Sequence, residues 1–198
     1  MTDWFGRPVL RGAAVRLEPL SSSHVDALLA AADDASLFTW SSSQLTTRDD
    51  AAALVDESLR DPLRVPFVVI DGASGTVVGT TSLYAIDPRH RSLAIGYTWL
   101  SRSVQGTAIN PDSKQLLLTH AFDVLGCVRV EWHVDERNTH SRRAVEKLGA
   151  RLDGLLPKHR RRRDGSWRTT ALYSMTDDDW PTVRRALAAR VENTLSRS

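Results

Sequence analysis

Gln105-Gly106-Thr107-Ala108-Ile109-Asn110-Pro111, QGTAINP, joins two stretches of different periodicity. Before it, SLAIGYTWLS (92–101) is rich in β-branched and aromatic residues, as strands are. After it, DSKQLLLTHAFDVLG (112–126) places apolar residues at helical spacing. In a strand-loop-helix of this kind, Gly106 allows close backbone approach, and Thr107 and Ala108 add little bulk. Asn110 suits a helix cap, and Pro111 suits a first turn that needs no N–H partner. The loop amides then face outward with the positive end of the helix behind them, which is a cradle for a pyrophosphate. The same residues would also make a well-capped turn. Neither a Gly-Lys-Ser/Thr loop nor a GxGxxG motif is present.

Outward from that loop the chain alternates between types of element. AAVRLE (13–18) reads as a strand, and SSSHVDALLAAADD (21–34) as a serine-capped helix with an apolar stripe at Val25, Leu28 and Leu29. Thr47 and the acidic residues after it open a second helix, DDAAALVDESLRD (49–61). PFVVID (66–71) and TVVGTTSLYAI (76–86) flank GASG and predict a hairpin, followed by the strand of 92–100. Beyond the helix at about 111–125, CVRVEWHVD (127–135) carries Val128, Val130, Trp132 and Val134 on one face. Asn138 or Thr139 caps THSRRAVEKLG, which Gly149 ends. RLDGLLPKHRR and WRTTALYSMT form a hairpin around Asp164-Gly165, and a last helix is amphipathic through Val183, Leu187 and Val191. The order predicts an α/β protein of the α+β type. Its sheet is mixed and mostly antiparallel with one parallel crossover, in one domain spanning 1–198.

The 198 residues are 41% hydrophobic, enough for a sizeable core, and the net charge is only +2. That balance excludes a dedicated nucleic-acid binder and suits a small anionic ligand. The single cysteine, Cys127, excludes an internal disulfide framework and reads as buried filler in a reducing compartment. No segment has the length and apolarity of a membrane span or signal peptide, so a cytoplasmic location is expected. The histidines lack the spacing of metal ligands, and no metal is expected.

VEWHVDERNTHSRRAVEKLGA places Asn138 just after a strand and Ser141 at the start of a helix. With GAAVRLEPLSSSH, AIGYTWL, QGTAIN and LYSMTDDDWP, in that order, it makes residues 8–185 resemble the GNAT superfamily of N-acetyltransferases, in particular its RimJ/RimL-like branch. The resemblance implies a sheet with a central splayed strand pair, and acetyl-CoA as co-substrate. The pantetheine arm would lie in the V and pair with the backbone of Thr98, Trp99 and Leu100. Its pyrophosphate would rest on the amides of Gln105, Gly106, Thr107, Ala108 and Ile109. Asn138 would bond the pantetheine, and Ser141 would return a proton to the departing thiolate. The family loop carries a basic or amide side chain where this chain has Ser103, with Arg102 and Gln105 beside it.

Acyl transfer to an amine needs the amine neutral, the thioester carbonyl polarised and the thiolate protonated. Many relatives have a Glu where this chain has Ala94. At pH 7.4 an α-amine is about a quarter neutral and a lysine about one part in a thousand, penalties of under about 1 and about 4 kcal/mol. A site without a strong base therefore favours a protein N-terminus, ribosomal or other, or a weakly basic small amine. Glu131 and His133 alternate on their strand and are candidates to face the site, with solvated or packed roles as the alternative. Trp40, in the loop between the first two helices, and Tyr84 are the expected acceptor contacts. Tyr84, Tyr97 and Tyr173 are also candidates for the cleft wall, with ordinary packing as the favoured alternative. Trp99 and Trp132 lie on strands beside the expected cofactor groove, with packing as their alternative. The basic run Lys158–Arg163 reads as a solvated hairpin tip or an electrostatic patch for RNA or an acidic protein. Exposed sheet edges and the tryptophans fit a homodimer. The rival to an acetyltransferase is a non-catalytic adaptor that binds CoA or a protein, since Ala94 and the altered loop are consistent with lost catalysis.

Overall fold

The computed structural model describes residues 2–196. Eight strands form one sheet: β1 (Leu10–Arg11), β2 (Val15–Pro19), β3 (Val65–Asp71), β4 (Val77–Asp87), β5 (Ser92–Leu100), β6 (Arg129–Asp135), β7 (Arg151–Arg161) and β8 (Trp167–Thr176). Five helices accompany them: α1 (Val25–Ala31), α2 (Arg48–Arg60), α3 (Ile109–Thr119), α4 (Thr139–Glu146) and α5 (Trp180–Leu195). The strand order is β1-β2-β3-β4-β5-β6-β8-β7, and every neighbouring pair is antiparallel except β5–β6. This is the mixed, mostly antiparallel sheet expected, with its one parallel crossover carried by α3.

β3 reads as a nearly unbroken apolar run because both of its faces are covered. Val65, Phe67 and Val69 face a core built with α3 and α5 through Leu117, Leu118 and Leu187. Val68 and Ile70 face a second core with α1 and α2 through Val25, Leu28 and Val55. The first core continues along β5, β6 and β8 through Leu93, Ile95, Val130, Trp132, Ala171, Tyr173 and Met175. Across β6 and β8, the opposite face carries polar residues such as Glu131, His133 and Thr170. Cys127 is buried in the first core.

Local chemistry sets the helix boundaries. Thr47 and Asp50 form a reciprocal capping box at α2. Asn138 caps α4 by accepting from the Ser141 amide at 3.0 Å. α3 starts two residues earlier than its sequence implies: Ala108 is the cap residue, so Asn110 and Pro111 lie inside the first turn. The helix also ends sooner, widening into a π-helical turn over His120–Val124 in which the Leu125 amide donates to the His120 carbonyl. The first predicted strand begins at Val15 rather than Ala13, and β1 was not legible in the pattern. No helix among the described residues is long and apolar enough to cross a membrane.

One buried carboxylate ties the start of β2 to α3. Asp112, 3% exposed, accepts from the amides of Ala14 (2.6 Å) and Val15 (3.1 Å), and burial pushes its pKa up. Gly12 lies so close that an added Cβ would sit 2.3 Å from the carboxylate. Replacing Asp112 by Ala strands two amides and should cost about 2–3 kcal/mol in urea unfolding. Gly12→Ala should also destabilise, but much less in the Asp112→Ala background, so a double-mutant cycle reads out the contact.

Candidate active site

The parallel pairing of β5 with β6 covers Ser92–Arg129, Leu93–Val130 and Ala94–Glu131, then stops although both strands run on. From Ile95 to Leu100 and from Trp132 to Asp135 the facing edges are unpaired with each other, which is the expected splayed pair. β4 still holds the other edge of β5, through Gly79–Leu100, Thr80–Trp99 and Ser82–Gly96. That register slips between Thr80 and Ser82, and Tyr97 opposite takes a positive φ of 51°. A bulge with a non-glycine residue in the left-handed region is a strained feature of the sort that re-aims a strand beside a site.

At one end of the gap lies the loop between β5 and α3. Gly106 has φ 83°, a conformation glycine adopts freely, and open space on its Cβ side. The amides of Gln105, Thr107 and Ile109 are bonded within the loop, to Arg102 O, Val104 O and Thr107 Oγ1. Those of Gly106, Ala108 and Asn110 have no hydrogen-bond partner among the described residues. Three unpaired amides at the positive end of a helix fit a diphosphate. The Gln105 side chain folds back onto Leu100 O at 3.2 Å, and Arg102 turns away to pair with Asp34 at 3.0 Å. Neither fills the place that Ser103 leaves without a basic group.

Across the gap, on the other arm, β6 leads into α4. The Asn138 side-chain oxygen is occupied as the cap, and the Ser141 hydroxyl has no hydrogen bond among the described residues. Just before that junction, Asp135 is 5% exposed and takes two bonds from Arg162, at 2.6 and 3.0 Å. Arg162 also reaches Ser166 Oγ and Trp167 O. The basic run is therefore not simply a solvated tip. Its Arg162 clamps the β7–β8 turn to the end of β6, while His159 turns inward to Thr170 at 3.0 Å.

The sheet face opposite α3 carries a line of rings. Tyr84 lies over Gly96, where an added Cβ would meet Tyr84 Cε1 at 2.7 Å. It meets Tyr97 edge-on at 5.0 Å and His133 at 5.8 Å, and His133 meets His159 at 5.9 Å. Burial raises the Tyr84 pKa, so its phenol stays protonated. Glu131 stands on the rung beside Ala94 and bonds His133 Nε2 at 3.1 Å and Arg129 Nε at 2.7 Å. The His133 bond, with Arg129, holds the Glu131 pKa down at about 2. His133 Nδ1 is buried without a partner.

The remaining sequence candidates divide. Trp40 is 42% exposed at the end of the short 3-10 turn Ala35–Phe38. The Trp99 side chain packs on Phe38 at 5.2 Å, so only its backbone can serve the gap, and Trp132 is core. Tyr173 does not line a cleft: it is buried on the helix-covered face and its hydroxyl links Arg142 and Glu146 of α4. The Thr98 hydroxyl is held by Thr81 at 2.8 Å and by Lys114 Nζ at 2.9 Å. Sequence reasoning missed Lys114. It is 6% exposed on α3, and its place three and four residues before Leu117 and Leu118, on the apolar stripe, was the available signal.

A gap between parallel strands, with free amides after one arm and a free hydroxyl after the other, fits a CoA-dependent acyltransferase. The acetyltransferase (GNAT) domain model matches residues 14–151, and the chain belongs to that family. A Brucella melitensis GCN5-related N-acetyltransferase is 33% identical, with TM-score 0.91 over 96% of this chain and 88% of that one. A T. thermophilus protein described as an acetyltransferase is 37% identical, with TM-score 0.87 over 95% of this chain and 99% of that one. Mycobacterium smegmatis RimJ, solved with CoA-disulfide, is 25% identical, with TM-score 0.75 over 93% of each chain. No curated protein sequence matches. The protein is an N-acetyltransferase that uses acetyl-CoA.

Lys114 provides a test of the groove's floor. Burial without a carboxylate partner lowers its pKa from 10.5 to about 7. Between those values the unfolded chain binds a proton that the folded chain has released, so stability rises with pH. From about pH 7 to 9 the slope should approach about 1.4 kcal/mol per unit, and Lys114→Met should flatten it in urea titrations.

Proposed function

We propose that the chain, acting as one domain over 1–198 in the cytoplasm, transfers acetyl from acetyl-CoA to a primary amine by direct attack in a ternary complex. The observation that carries this reading is the break in β5–β6 pairing after Ala94–Glu131, because it leaves strand backbone free to bind along a gap. Thr98, Trp99 and Leu100 pair with the pantetheine arm, and Asn138 bonds it. Gly106, Ala108 and Asn110 hold the pyrophosphate on their amides, with Gln105, Thr107 and Ile109 shaping the loop. Bound acetyl-CoA supplies the thioester whose acyl group is transferred. Backbone N–H groups of the splayed strand stabilise charge on the carbonyl oxygen. The Ser141 hydroxyl donates a proton to the leaving sulfur.

His133 takes the proton from the amine. Glu131 accepts from Nε2–H and so leaves Nδ1 as the basic nitrogen, the logic of a carboxylate-oriented imidazole. The family's Glu is absent at Ala94, but Glu131 occupies the adjoining rung. Tyr84 and Trp40 contact the acceptor, which is a protein N-terminus or a weakly basic small amine, since an imidazole base suits amines that are partly neutral at neutral pH.

The test is a thermal-shift titration with acetyl-CoA and free CoA, then rates on N-terminal peptides and on a lysine-only peptide. Saturating acetyl-CoA at about a hundred times Kd should add about 2.7 kcal/mol. Ser141→Ala and His133→Ala should each lower kcat by about 100-fold or more with the acetyl-CoA shift unchanged. An unchanged kcat in Ser141→Ala removes it as the proton donor, and no shift with either ligand defeats the reading of the loop.

A further inference from the structure

Two of the inward-turned arginines have a carboxylate partner. Arg129 pairs with Glu131 and Asp153, and Arg162 with Asp135. Arg64 and Arg168 differ. Arg64, 7% exposed, gives its Nε to Ser82 Oγ at 2.9 Å and lays its guanidinium 3.7 Å over the Tyr97 ring. Its terminal nitrogens have no hydrogen-bond partner among the described residues; Asp61 and Glu57 act on it only from a distance. Arg168 donates one terminal nitrogen to the His133 carbonyl at 2.7 Å, and its Nε is buried without a partner. The acid that acts on it most, Asp135, is already taken by Arg162.

Both sit at the ring line of the site. Ser82, the partner of Arg64, is the rung opposite Gly96, over which Tyr84 lies. Tyr84 feels the charges of Arg160 and Arg168. Among the described residues, the acid on this line is Glu131, and it is committed to Arg129 and His133. A guanidinium cannot shed its proton to escape burial, so an unpaired one stays charged and calls for an anion. Its planar fork matches the two oxygens of a carboxylate.

We propose that Arg64 and Arg168 form a carboxylate-recognition subsite, and that the acceptor is a primary amine bearing a carboxylate. This rests on the reading of the Tyr84–His133 face as the acceptor side. The carboxylate comes either from an acidic residue at a peptide N-terminus or from the α-carboxyl of a free amino acid.

The experiment compares kcat/KM, with acetyl-CoA saturating, for C-terminally amidated Glu-Ala-Ala-Ala against Gln-Ala-Ala-Ala, and for free alanine against alaninamide. At least one carboxylate-bearing member should be preferred by at least about tenfold, and the pair that shows it identifies the source. Arg64→Met and Arg168→Met should each pull that ratio towards one. Equal rates within both pairs overturn the subsite, and so does a ratio that neither substitution moves. The second readout needs no turnover: calorimetric affinity of the N-acetylated Glu and Gln peptides for the protein with CoA bound. Preference for the Glu peptide, lost in Arg64→Met, supports the subsite even where acetylation fails. Equal affinities in that pair, together with equal affinities of N-acetylalanine and N-acetylalaninamide, overturn it while leaving acetyl-CoA binding intact.

Discussion

Strands in the middle of a sheet normally satisfy each other's N–H and C=O groups, and this sheet departs from that at its centre. After Ala94–Glu131 the parallel pair separates while both strands continue. Such an opening is stable only when other contacts hold the two halves. β4 keeps the far edge of β5, and β8 keeps the far edge of β6 along its whole length. α3 and α5 fill the space behind the opening with Leu117, Leu118 and Leu187, so the halves share one apolar core even where they share no ladder. The bulge at Tyr97 turns β5 within that frame. Groove, amide loop, Asn138, Ser141 and ring line all take their positions from where the ladder stops.

The buried charges divide into two sets around that opening. Asp112, with its backbone amides, and the Asp135–Arg162 pair brace the fold, and each finds its complement inside the protein. Lys114, Arg64 and Arg168 do not, having only hydroxyls, a ring or a carbonyl for company. Burying a cation without a counter-charge costs stability that apolar side chains of equal size would not. All three border the strands that part; Lys114 sheds its proton from about pH 7 upward, whereas the two guanidiniums stay charged.

Legibility followed the range of the interactions. Elements set by local pattern were readable: the β3–β4 and β7–β8 hairpins, the Thr47 cap, the Asn138 cap. The resemblance carried by QGTAIN and by Asn138 and Ser141 then led to the family, and the parting strands matched it. What depended on a partner far along the chain was not readable. Asp112 reads as a helix-start acid until Ala14 and Val15 are brought to it. Arg162 reads as a solvated tip until Asp135 arrives across the turn, and Tyr173 as a cleft wall until Arg142 and Glu146 claim its hydroxyl. The start of α3 moved by two residues because Thr107 Oγ1, bonded to Val104 O and accepting from Ile109 N, finishes the loop in place of Asn110.

Ala94 shows most clearly how sequence and space part company. Read along β5, it is a missing carboxylate and an argument against catalysis. Read across the last rung before the gap, it is a small residue beside Glu131. A carboxylate held at about 2 by His133 and Arg129 is too weak a base to take a proton from an amine. It is well suited to fixing an imidazole, and His133 stands two residues further along the same face, where the strand is already free of β5. On the proposed reading, an acid on β6 in place of one on β5 exchanges a direct carboxylate base for an oriented histidine. Imidazole bases as a class, titrating near 6.5 when free, suit α-amines far better than lysine side chains, which are roughly a few hundredfold less available as neutral amines. On that reading, the residue that looks like a loss in one strand narrows the choice of acceptor in the pair.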